Sequence, residues 1–100
     1  MLFTDFTSPA DTCKAIAARA REARLAANLS QEGLAERAGV SLGSLKRFER
    51  LGAGSLDLVV RVAIALRQEA AFEDLFKPPK FTSLDAMIAQ PQRRARGTNK

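Results

Sequence analysis

Between Ser30 and Arg50 the chain reads SQEGLAERAGVSLGSLKRFER, and its apolar positions fall into two short helical registers. Leu34, Ala35 and Ala38 recur at i, i+1 and i+4, one face of a helix, while Gln31, Glu32, Glu36 and Arg37 stay polar. Gly39 stands one residue past that pattern, where a left-handed backbone closes a helix C-terminus. Val40 follows as a buried turn residue, and Ser41 offers a side-chain oxygen to cap the next helix. In that helix Leu45 and Phe48, with Leu42 at the margin, are the apolar residues; Ser44, Lys46, Arg47 and Arg50 face outward. Two helices set at a large angle by a short Gly-containing turn, the second one basic, predict a helix-turn-helix.

The flanks extend this to an all-α domain. Ser8-Pro9-Ala10-Asp11 predicts a helix starting near Pro9, with Ser8 as cap and Asp11 as the reciprocal acid, and ending at Asn28, which tolerates a left-handed cap. Leu51-Gly52-Ala53-Gly54 reads as a flexible loop. Ser55 caps a fourth helix in which Leu56, Val59, Val60, Ala63, Ile64 and Leu66 repeat at helical spacing, as core and as part of a subunit surface. A fifth helix over Ala70–Phe76 carries Phe72, Leu75 and Phe76 as a plug of the core, alone or shared with a dimer contact.

Pro78-Pro79 ends the domain, which spans residues 8–77. Residues 78–100 form a C-terminal extension: Phe81 to Ile88 is an amphipathic turn or two, too short to stand alone, and Pro91 to Lys100 is a basic tail expected to be disordered when free. Met1 to Thr7, with Leu2, Phe3 and Phe6, is either an arm that packs on the domain or a second subunit, or a frayed end.

Charge changes the picture by its placement. The net charge is +5, but residues 14–50 hold eight Lys/Arg against four acids, residues 91–100 hold four bases and no acid, and residues 51–90 hold four bases and five acids. Positive charge concentrated on the first three helices and the tail suits a polyanion, each neutralised phosphate releasing counterions. One cysteine, Cys13, and no histidine provide neither a disulfide, a zinc site nor a Cys/His dyad, so no metal and no cofactor is expected and Cys13 reads as a small buried residue. With no phosphate loop and no evident carboxylate pair, the chain reads as a non-enzyme. Asp5 stands where a signal peptide is basic, and no run approaches the roughly 18 apolar residues of a membrane span, so a cytoplasmic location and no membrane partner are expected.

Leu29-Ser30-Gln31, Leu34-Ala35, Gly39-Val40-Ser41, Leu45 and Phe48-Glu49 resemble the motif of the lambda-repressor-like (Cro/repressor, XRE) helix-turn-helix family, over about Arg19 to Phe76. The resemblance implies a five-helix DNA-binding domain. It implies that Arg24 pairs with Glu49 as a structural ion pair, and that Gln31 contacts a phosphate and braces the recognition helix beside Ser30. It also implies that Ser41, Leu42, Gly43, Lys46 and Arg47 face the major groove. Leu42 and Gly43 cannot make bidentate bonds to bases, so Arg47, able to read guanine O6 and N7 together, carries the specificity. Ser44, Lys46 and Arg50 are phosphate contacts or solvated charges. Gly33 departs from the family pattern.

The succession of Ser44 to Glu49, a hydrophobic fourth helix, Phe72 to Phe76, Pro78-Pro79, Phe81 to Ile88 and an Arg-rich end is similar to HipB-type antitoxin regulators. That resemblance implies a homodimer that binds an inverted-repeat operator in double-stranded DNA and represses its own operon. The alternative it implies is an antitoxin acting mainly by holding a partner toxin, a HipA-type kinase, through Phe72 to Phe76 and Phe81 to Ile88.

Overall fold

The computed structural model describes residues 8–79, and four serines decide where its long helices begin. Helix α1 (Pro9–Ala26) opens with Ser8 Oγ accepting the Asp11 amide at 3.0 Å. The same bond, three residues on, starts α2 (Gln31–Ala38) from Ser30, α3 (Leu42–Leu51) from Ser41 and α4 (Leu56–Ala65) from Ser55, at 2.9, 3.0 and 3.0 Å. Each hydroxyl satisfies an amide that the helix leaves free, a contribution of about 1 kcal/mol over alanine. A single turn, α5 (Ala70–Glu73), completes the all-α, five-helix fold; no strand occurs among the described residues. The expectations for Met1 to Thr7, Phe81 to Ile88 and the basic tail lie outside the described residues.

Left-handed residues stop the helices. Gly39 (φ +71°) closes α2 and Gly52 (φ +73°) closes α3. The expected end of the first helix at Asn28 is corrected by two residues: α1 stops at Ala26, and Asn28 (φ +58°) turns the chain so that the Leu29 amide reaches back to the Arg24 carbonyl. Leu51, expected in a loop, is the last residue of α3, because the stop signal is Gly52. Gly52 also fills a packing role. A Cβ there would lie 2.8 Å from the Cys13 carbonyl carbon and 2.9 Å from Lys14 N, so only glycine lets the end of α3 meet α1 this closely.

The core forms where α2, α3 and α4 converge. Leu34, Leu45, Phe48 and Val62 are its largest fully buried side chains, each contributing roughly 1.5–3 kcal/mol by leaving water. From α1 only Ala17 and Arg24, two turns apart on one face, are buried. Several expected positions differ. Cys13 is exposed although it lies on the same face of α1 as Ala17 and Arg24, one turn before Ala17 near the start of the helix, where the chain that approaches the α1 backbone is the glycine end of α3 at Gly52. In α4 the buried residues are Leu58, Val62 and Ala63, whereas Leu56 and Ile64 are exposed; this helix is apolar on most of its circumference, so periodicity could not choose its inner face. The fifth helix is four residues long and buries none: Phe72 is half-buried, Leu75 is exposed and Phe76 is 95% exposed, so it does not plug the core. Gly33, which departs from the family pattern, is half-buried, and a Cβ on it would press on the capping Ser30 Oγ at 3.3 Å.

A buried ion pair joins the first helix to the third. Arg24 Nε donates to Glu49 Oε2 at 2.8 Å and Arg24 Nη2 to Glu49 Oε1 at 3.0 Å, with the side chains 8% and 3% exposed. Arg24 Nη1 also donates to the Leu29 carbonyl at 2.9 Å, holding the turn between α1 and α2. Two parallel bonds from a rigid guanidinium fix the relative rotation of the helices as well as their distance.

Two stability measurements follow from this packing. Arg24→Ala and Glu49→Ala each strand a buried charge and should each lower the unfolding free energy by about 3–5 kcal/mol, the double variant losing clearly less than the two losses added. Urea unfolding checks this, and single losses below about 1 kcal/mol would contradict it. Gly52→Ala meets both a left-handed backbone and α1, and should cost at least about 1–2 kcal/mol. Gly43→Ala, where a Cβ meets nothing within 4 Å, should instead stabilise by about 0.5–1 kcal/mol.

Candidate nucleic-acid interface

Helix α3 sorts its residues by face. At about 100° per residue, the buried Leu45 and Phe48 anchor one side, and the exposed arc opposite carries Gly43, Ser44, Lys46, Arg47 and Arg50. Leu42 is half-buried at the edge of that arc. Gly43 and Arg47 are one turn apart on the middle of the outward stripe, with Lys46 and Arg50 beside them. Three cations therefore project from one face of a helix whose other face is locked into the core.

The serines at its start are partly committed. Ser41 Oγ accepts the Ser44 amide at 3.0 Å and donates to Ser44 Oγ at 2.8 Å, so the single proton of Ser41 is used inside the protein. Ser44 keeps its own hydroxyl proton. Of this pair, Ser44 is thus the hydroxyl able to donate outward.

Gln31 stands at the junction of α2 and α3. Its Nε2 donates to Glu49 Oε1 at 3.0 Å, and the Glu49 carboxylate thereby accepts three hydrogen bonds, two from Arg24 and one from Gln31. Gln31 Nε2 has a second hydrogen, which makes no bond among the described residues. Beside it, Ser30 is exposed and its oxygen caps the Gly33 amide, which leaves the hydroxyl proton available. Ser30 and Gln31 at the start of α2 and the exposed arc of α3 thus come from the two helices that the Gln31–Glu49 bond ties together. The Leu29 carbonyl, third partner of Arg24, had no sequence signal, since a backbone acceptor leaves no mark in residue type.

A second surface involves α1 and α4. An open groove of about 680 Å³ is lined by residues of α1 and α4, with Phe72 and Leu75 also in its wall. Its floor is apolar, with Arg19, Glu22 and Gln68 among its lining residues. Among the described residues no group of three or more His, Cys, Asp or Glu could hold a metal ion, and no helix is long and apolar enough to cross a membrane.

A family model for helix-turn-helix domains matches residues 21–70, from the last turns of α1 to the first residue of α5. No curated protein matches the chain. The matched half of the chain contains α2, the turn at Gly39, α3 and the ion pair that fixes them, and the chain belongs to the lambda-repressor-like (XRE-like) helix-turn-helix family of DNA-binding transcription regulators.

Proposed function

We propose that this protein is a sequence-specific repressor that binds double-stranded DNA as a homodimer on an inverted repeat and shuts off its own operon. The observation that carries the reading is the exposed arc of α3, where Arg47, Lys46 and Arg50 stand on a helix fixed from behind by Leu45, Phe48 and Glu49. Residues 8–77 act as the DNA-binding domain and residues 78–100 as an extension whose basic end follows the phosphates. In this reading Arg47 donates two bonds to a guanine edge, and Gly43, one turn before it, lets the backbone of α3 come close. Ser44, Lys46, Arg50, Ser30 and the second amide hydrogen of Gln31 hold phosphates. Arg24 and Glu49 set the angle at which α3 enters the groove. Leu42 contributes apolar contact, and the scarcity of hydrogen-bonding groups on the arc leaves part of the specificity to DNA shape.

A HipB-type antitoxin that acts mainly by holding a toxin kinase is the second reading, and the open apolar groove between α1 and α4 is the observation that favours it. Co-purification of a kinase-like protein with weak binding to every duplex would shift the weight to that reading.

Arg47→Ala should weaken binding to the DNA upstream of the gene by about 1–3 kcal/mol per half-site and flatten the preference at one base pair, with much smaller losses on random duplex. Arg47 is exposed and in no intramolecular hydrogen bond among the described residues, so the fold should be untouched. Titration of both duplexes at one salt concentration decides it, and equal losses on the two would refute base reading by this side chain.

A further inference from the structure

The groove lined by α1 and α4 has the length of one short helix. Its α1 residues run from Ile16 to Ala23 and its α4 side from Val59 to Leu66, each about 10 Å at 1.5 Å per residue. Phe48 joins the lining from α3, and Phe72 and Leu75 join it from the chain after α4. Leu75 is 52% exposed although it lines the wall, so the groove stands open to water. Apolar surface left open in this way raises the free energy of the chain until something covers it.

The chain that leaves this wall carries a matching face. Phe81 follows Leu75 by six residues, across Lys77-Pro78-Pro79-Lys80. Six residues reach at most about 20 Å, enough to turn back over a groove that one helix fills, since packed helix axes lie roughly 8–10 Å apart. Phe81, Leu84 and Ile88 recur at i, i+3 and i+7, with Met87 beside Ile88, an apolar helical face as long as the groove walls. Residues 81–90 carry a single charge, Asp85. Arg19, on the groove, takes part in none of the ion pairs among the described residues. A helix of two turns is not stable alone, and the groove supplies the apolar surface it needs.

We propose that residues 81–88 dock in the α1–α4 groove of their own chain as a short helix, Phe81, Leu84 and Ile88 on its apolar floor and Asp85 toward Arg19. The tether decides the occupant. A short linker gives the segment an effective concentration of about millimolar, against which a second copy at micromolar concentration competes poorly. Residues 1–7 leave the fold at Ser8, about 12 Å along α1 before Ile16, and would have to double back to reach even the near end. The docked segment lies against Phe48, which belongs to the helix that carries Arg47 on its outward side. A protein partner of the groove must therefore displace this cover, and in doing so it uncovers the back of α3. The proposal does not rest on the DNA-binding reading.

The full chain has neither tryptophan nor tyrosine, so Phe81→Trp introduces a single emitter into the protein as it stands. Its emission should lie to the blue of that in urea, and acrylamide should quench it at least about tenfold more slowly, docked segments outnumbering free ones by that factor. Ala71→Phe fills the groove from an exposed position, and Leu84→Asp puts a charge on the docking face. Each, added to Phe81→Trp, should return quenching to its rate in urea in a chain that still melts cooperatively. An excess of Ala71→Phe chain mixed with the Phe81→Trp chain should leave the indole protected, because each segment lies in its own groove. An indole quenched as fast in the folded chain as in urea would overturn the proposal. Protection that survives Ala71→Phe or Leu84→Asp would also overturn it, leaving the groove to residues 1–7 or to another protein. Protection lost on mixing would overturn it too, assigning the groove to the segment of a second copy.

Discussion

The Arg24–Glu49 ion pair is the constraint on which the rest of this structure depends. A charged pair this buried contributes little net stability compared with an apolar pair of the same size, because both groups give up hydration. What it contributes is position. The guanidinium holds the carboxylate with two bonds and the Leu29 carbonyl with a third, and Gln31 adds one more bond to the same carboxylate, so α1, the α1–α2 turn, α2 and the last turn of α3 share one network. A helix that reads base edges must be held to a fraction of an ångström, and packing of Leu45 and Phe48 alone allows sliding that directional bonds forbid. Gly52 completes the arrangement by letting the end of α3 touch the α1 backbone.

The small core explains the division of labour on the surface. The described domain buries Phe48, the aliphatics Leu34, Leu45, Leu58 and Val62, and several alanines among α1 to α4 and leaves α4 apolar on its outer side. Exposed apolar area of that kind is a cost for an isolated chain, lowered when a second surface covers it. The exposed cationic arc lies on α3 and the outer apolar face on α4, so a partner that covers the second leaves Arg47 open.

Much of this was legible in the sequence because local chemistry decided it. Serine caps at Ser8, Ser41 and Ser55 mark the starts of α1, α3 and α4, and Gly39, one residue past an apolar pattern, marks the end of α2, by mechanisms that act within a few residues. The buried faces of α2 and α3 were legible for the same reason, since Leu34, Ala35, Ala38, Leu45 and Phe48 alternate with charged residues. Where the chain is apolar on all sides, as in α4, no pattern picks the inner face, and Leu58 and Val62 were missed in favour of Leu56 and Ile64. Cys13 failed for another reason: it is on the same face of α1 as Ala17 and Arg24, but near the start of the helix, and residue type does not record how far along a helix the core extends. The short α5 and the exposed Phe76 show that three large apolar residues predict burial somewhere, without saying against which molecule. The charges of the outward arc were readable in α3, but the commitment of Ser41's proton to Ser44 is a matter of geometry that residue type does not record.

The central claim is that α3, fixed by Arg24, Gln31 and Glu49, reads a specific DNA sequence. The most direct measurement is binding of the full-length chain to the DNA immediately upstream of its own gene, against a scrambled duplex of equal length at physiological salt, with a footprint of the complex. The account predicts selective binding by at least about a thousandfold and protection of two half-sites centred about 34 Å apart on one face of the helix. Equal, weak binding to both duplexes with no bounded footprint would contradict it.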